Sequence, residues 1–114
     1  MTVTEQLAAL DRLLAQGELT TLFQPILCLS GQRVLGYEAL TRGPSNSPLH
    51  APMPLFAAAR HAGRLAELER LCWRLACQRF QKLKLGGRLF LDISPDALLE
   101  AEHRVEPLLQ LLQG

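Results

Sequence analysis

The chain has 114 residues, of which 48% are hydrophobic and 20% charged, and a formal net charge of +1. That length and apolar content suit one folded domain and exclude a disordered chain. Near-neutrality excludes the basic footprint of a duplex nucleic-acid binder and a polybasic membrane anchor.

No run approaches the roughly 18 consecutive apolar residues of a spanning helix. Met1 to Leu10 is amphipathic, contains Glu5 and has no basic leading region, so it does not read as a secretory signal. A cytoplasmic location is the expectation. Cys28, Cys72 and Cys77 form no C-x-x-C pair and read as small hydrophobes in a reducing compartment. With His50, His61 and His103 scattered, there is no zinc signature.

Thr2-Val3-Thr4-Glu5 fits a capping box, with Leu7, Leu10, Leu13 and Leu14 at helical spacing behind it and Gly17 as the stop. Leu19 to Leu29 is an apolar run bounded by Ser30-Gly31, and Val34 to Arg42 follows after a short connection. The pair reads as a hairpin. Pro25 cannot donate to a ladder, so the first strand is expected at an edge or with a bulge there. Gly43 to Pro54 has loop composition. Pro54 can open a helix running to about Ala62 and stopping at Gly63. Leu65 to Leu83 predicts the longest helix, with Leu68, Leu71, Cys72, Leu75, Ala76 and Leu83 on one face. After Gly86-Gly87, Arg88 to Ile93 alternates as a short strand. Ser94-Pro95 opens another helix, and Val105 to Leu112 is a final leucine-rich segment.

A hairpin followed by a β-α-α-β unit is an α/β pattern, with a right-handed crossover if the later strands are parallel. Three strands leave open sheet edges and unpartnered helix faces, as in part of a larger fold. Strand alternation sorts the polar side chains. Val34, Gly36, Glu38, Leu40 and Arg42 share one face of the second strand. Leu22, Gln24, Ile26 and Cys28 share one face of the first, which puts Gln24 among hydrophobes. Phe90 and Asp92 share a face of the third.

Ligand sites of parallel α/β sheets form at the carboxyl ends of the strands, where Glu38 and Asp92 could converge as hard oxygen donors for Mg²⁺ or Ca²⁺. The fork of Arg42 matches a phosphate. Taken one by one, the same residues have plainer roles. Glu38 and Arg42 could form a same-face ion pair, Asp92 could assist the cap after it, and Gln24 could satisfy a backbone group beside Pro25. Trp73 and Phe80 read as packing groups.

Four segments taken together carry more. Phe23-Gln24-Pro25-Ile26, then Leu35-Gly36-Tyr37-Glu38-Ala39-Leu40-Thr41-Arg42-Gly43, closely resemble the start of an EAL domain, the phosphodiesterase family that linearises cyclic di-GMP. Pro54-Leu55-Phe56 with Ala59 and Gly63, the helix from Leu65 to Ala76, and Leu89-Phe90-Leu91-Asp92-Ile93-Ser94-Pro95 continue the resemblance in order over residues 19–100.

The resemblance implies the N-terminal half of a TIM-like barrel that begins with an antiparallel hairpin. Residues 1–17 form a leading helix and 101–114 the start of the next helix or a truncated end. It implies Glu38 as a metal ligand, Gln24 and Leu40 as dinucleotide contacts, and Arg42 as a phosphate contact. Asp92 stands where the family has a metal-binding asparagine. The implied cation is Mg²⁺ or Mn²⁺, with Ca²⁺ as an inhibitory occupant.

A closed barrel needs about 250 residues, so the family's remaining glutamates, aspartate pair and lysine fall outside this stretch. The expected function is therefore the first part of a cyclic di-GMP phosphodiesterase, inactive alone. The alternative is a non-catalytic module for protein interaction or cyclic di-GMP binding. Open edges also predict self-association or pairing with the other half of a barrel.

Overall fold

Thr2 begins the first helix as its sequence requires. In the computed structural model, which describes residues 2–30 and 33–92, α1 spans Val3–Gln16. The Thr2 hydroxyl accepts the Glu5 N–H at 3.1 Å, and the Thr2 N–H donates to Glu5 Oε2 at 3.4 Å. The helix ends where Gly17 turns left-handed at φ 66°, a conformation that costs a residue with a Cβ about 1 kcal/mol or more. Leu10, Leu13 and Leu14 are buried, whereas Leu7, expected on the same face, is largely exposed.

The second helix, α2, spans Pro52–His61. It starts two residues before the expected Pro54 because Pro52 also suits the first turn, where an N–H is not needed. The third, α3, spans Leu65–Leu83 as expected. Its face is buried at Leu68, Leu71, Cys72 and Ala76, but Leu83 at its end is exposed.

The chain divides into two units. The first holds residues 1–20 and 41–72, and α1 packs on α2 within it. Leu10, Leu13, Leu49, Leu55 and Leu68 are its fully buried centre, each contributing about 1.5–3 kcal/mol by leaving water. Arg64, between α2 and α3, ties the unit together. It donates to Asp11 Oδ1 and to both carboxylate oxygens of Glu67, each at 2.9 Å. The loop after β2 closes on itself: the Gly43 N–H donates to the His50 carbonyl at 2.8 Å, and His50 Nδ1 lies 2.9 Å from the Gly43 carbonyl. A Cβ at Gly43 would strike the Leu49 carbonyl.

The second unit holds residues 21–40 and 73 onward. Among the described residues the sheet has three strands in the order β1 (Thr20–Leu27), β2 (Val34–Arg42) and β3 (Arg88–Phe90). The six-residue link from β1 to β2 is closed by the Cys28 N–H on the Arg33 carbonyl at 3.0 Å. It is too short for a parallel crossover, so the two strands form the expected hairpin. Pro25 lies on the edge strand, as its missing donor demands.

β3 is shorter than the expected Arg88 to Ile93, since Leu91 and Asp92 lie past its end. It pairs parallel with β2, Gly36 opposite Arg88, Tyr37 opposite Leu89 and Glu38 opposite Phe90. On one face of the sheet Phe23 and Tyr37 pack on Phe80 of α3, ring centres 5.9 and 6.2 Å apart. Among the described residues of this unit, the side chains of Trp73, Ala76 and Cys77 are its buried apolar ones.

Ile93, the helix expected from Ser94 and the segment Val105 to Leu112 lie outside the described residues. No helix among the described residues is long and apolar enough to cross a membrane.

Candidate functional site

The face of the sheet opposite Phe80 carries the candidate residues. Because Phe23 and Tyr37 turn toward Phe80, their strand neighbours Leu22, Gln24, Gly36, Glu38 and Leu40 turn the other way. Phe90 joins them. Its ring lies over Gly36, and a Cβ at Gly36 would come within 2.8 Å of Phe90 Cε2 and collide with the Arg88 carbonyl. Gly36 is thus required by the close approach of β3, a role its place in the strand pattern did not disclose.

Two residues beyond Phe90, Asp92 reaches the same level as Glu38. The Glu38 carboxyl hydrogen-bonds to Asp92, and it is held above its ordinary value of 4.5. The negative charge of Asp92 is the main cause, followed by partial burial and then by that hydrogen bond. Two carboxylates brought together repel, and a cation between them would offset that repulsion. The pair therefore fits part of a hard-cation site, offering one oxygen donor group from mid-β2 and one from just past the parallel strand β3. Among the described residues no group of three or more His, Cys, Asp or Glu that could hold a metal gathers.

The backbone at Asp92 is held from the side. Trp73 on α3, buried to 7% exposure, donates its indole N–H to the Asp92 carbonyl at 3.2 Å. Sequence reading gave Trp73 a packing role only. Nothing in the spacing could have revealed the bond, because it joins a helix side chain to backbone past the end of a strand.

The other candidates are placed as follows. Gln24 is exposed, contrary to its expected place among hydrophobes. It lies on the face away from Phe80, and the burial alternation of β1 slips by one residue at Pro25, so Leu22, Gln24, Ile26 and Cys28 do not keep one environment. Leu40 is half-buried beyond Glu38 on β2. Arg42 belongs to the first unit, where its guanidinium donates to the Thr41 carbonyl at 2.9 Å. The capping role considered for Asp92 concerns Ser94, outside the described residues; the Asp92 carboxyl itself meets Glu38.

No curated protein sequence matches the chain. Among solved structures, it resembles the crystal structure of the Xanthomonas citri FimX EAL domain in complex with c-diGMP, with TM-score 0.76 over 97% of this chain at 19% identity. The likeness establishes the fold as part of an EAL barrel. The chain spans 44% of the FimX chain it matches. The family profile described as EAL domain matches residues 7–114. With the hairpin, the parallel β2–β3 pair and Glu38 in its motif, this match shows that the chain belongs to the EAL domain family.

Proposed function

We propose that these residues form the first part of a site that binds cyclic di-GMP and, in a completed barrel, hydrolyses it to the linear dinucleotide. The observation that carries this reading is the contact of Glu38, in the middle of β2, with Asp92, just past the end of the parallel strand β3. Glu38 and Asp92 would hold Mg²⁺ or Mn²⁺, and Ca²⁺ would compete for the same oxygens without supporting turnover. A bound cation supplies Lewis acidity toward a phosphoryl oxygen and a more acidic water. Gln24 and Leu40 are assigned to the dinucleotide by the family pattern. Arg42 is assigned to a phosphate by that pattern and by the match of its planar fork to phosphate oxygens. The neighbouring FimX domain, solved with c-diGMP, supports the ligand class.

The deciding assay incubates the chain with cyclic di-GMP and Mg²⁺ or Mn²⁺ and separates the products by chromatography. Two carboxylates do not make a hydrolytic centre. The expected result is therefore ligand binding weakened by Glu38→Ala, without turnover by the 114 residues alone. Turnover abolished by Glu38→Ala would show that this chain builds a complete site.

A second reading, a non-catalytic module that binds cyclic di-GMP or a protein, is favoured by Asp92 standing where the family has a metal-binding asparagine. Leu22, Val34 and Phe90 are 49%, 39% and 38% exposed. These apolar side chains support self-association of the chain, which a single sharp monomer boundary in sedimentation velocity would rule out.

A further inference from the structure

We propose that Trp73 is a positioning residue for the cation site, setting the placement of the Asp92 carboxylate through the Asp92 backbone. The inference rests on the reading of Glu38 and Asp92 as cation ligands and adds to it the group that orients one of them.

Asp92 needs an external anchor. β3 ends at Phe90, whose partner on β2 is Glu38, so Asp92 lies past the paired part of the strand. A ligand on such a stretch would wander unless something fixed it, and a carboxylate repelled by Glu38 has reason to swing away. The Trp73 indole N–H supplies the fixed point. The donor sits on a buried, two-torsion side chain of the longest helix, and its bond to the Asp92 carbonyl is 3.2 Å. Holding the carbonyl fixes the backbone at Asp92 and thereby the direction in which its side chain leaves. Supporting partners of this kind commonly tune metal affinity without touching the metal.

Trp73 is also the chain's single tryptophan, so the group that orients the ligand doubles as a fluorescent reporter beside it.

The test measures Mn²⁺ binding to the full 114-residue chain by electron paramagnetic resonance of free Mn²⁺. The measurement is made well below the unfolding temperature. The chain carries either tryptophan or its isostere benzothienylalanine at position 73, which replaces the N–H with sulfur at nearly constant shape. Trp73→Phe serves as a second donor-free variant, and circular dichroism confirms that each is folded.

The expected result is Mn²⁺ binding weakened about 3- to 10-fold in both donor-free forms, the weight of one net hydrogen bond. In the parent chain, Mn²⁺ should quench Trp73 fluorescence with the midpoint found by resonance. Loss of packing alone would not weaken binding in the shape-conserving form. Unchanged Mn²⁺ affinity in the folded isostere chain would overturn the positioning role while leaving the cation site intact. If the parent chain shows no Mn²⁺ binding that Glu38→Ala removes, the cation reading fails and the positioning role falls with it.

Discussion

The carboxyl of Glu38 meets the carboxyl of Asp92, one from β2 and one from just past the parallel strand beside it. Unlike the surface ion pairs of this chain, the contact brings like charges together. Without a cation it opposes folding at neutral pH. Asp92→Asn keeps the shape and an oxygen donor but removes one charge. It is expected to raise Tm at pH 7 in the presence of a chelator. Added Mn²⁺ should stabilise the variant less than the parent chain, because one anionic ligand is gone. Thermal unfolding with and without Mn²⁺ checks both signs; a variant less stable than the parent in chelator would refute the repulsion.

Gly36→Ala tests how closely β3 lies on β2. The added methyl would meet the Arg88 carbonyl and the Phe90 ring, neither of which can yield without moving the strand. Overpacking of this kind costs about 1–3 kcal/mol. Urea unfolding should show that loss. Mn²⁺ binding should weaken as well, since the strand that carries Asp92 is displaced.

The Arg64 hub gives the first unit an acid-sensitive component. Hydrogen bonds from Arg64, and then its charge, hold Glu67 below the ordinary carboxylate value of 4.5. A depressed folded value means the unfolded chain takes up the proton first. The contribution is present above about pH 4.5 and is lost as pH falls through the lowered value. Arg64→Met should flatten the stability profile in that acid range and reduce its salt dependence, because the ion pairs to Asp11 and Glu67 are partly exposed. A variant profile that runs parallel to the parent's below pH 4.5 would count against the hub.

Thiol labelling should separate the cysteines. Burial pushes Cys72 up to about 11 despite a hydrogen bond with Thr41 that acts the other way, and burial also raises Cys77. Cys28 is half-buried beside Ser30, with Sγ 3.3 Å from its Oγ. A disulfide reagent at pH 8 is expected to modify Cys28 well before the other two, which mass spectrometry resolves. The raised Cys72 value also means that stability falls as pH climbs from about 9 to about 11, where the unfolded thiol ionises and the folded one does not. Cys72→Ala should lessen that alkaline slope.

Much of this was legible in the sequence, for identifiable reasons. The capping box at Thr2 and Glu5, the span of α3 and the edge position forced by Pro25 are local chemistry, and the structure has them. The meeting of Glu38 with Asp92 followed from alternation along two strands and from their parallel order.

The misses were tertiary. Gln24 is exposed because it lies on the face of β1 away from Phe80, and Leu83 is exposed at the end of α3. The bond from Trp73 to the Asp92 carbonyl depends on how a helix lies beside a strand end, which no spacing rule encodes.

The pairing of β2 with β3 also limits how this stretch of chain can change in length. Glu38 stands opposite Phe90, and Asp92 is an even number of residues further along. Removing or adding a single residue between Phe90 and Asp92 would shift the Asp92 carbonyl relative to the Trp73 indole N–H and the carboxylate relative to Glu38. The spacing of Glu38 and Asp92 is therefore as much a part of the cation reading as their identity.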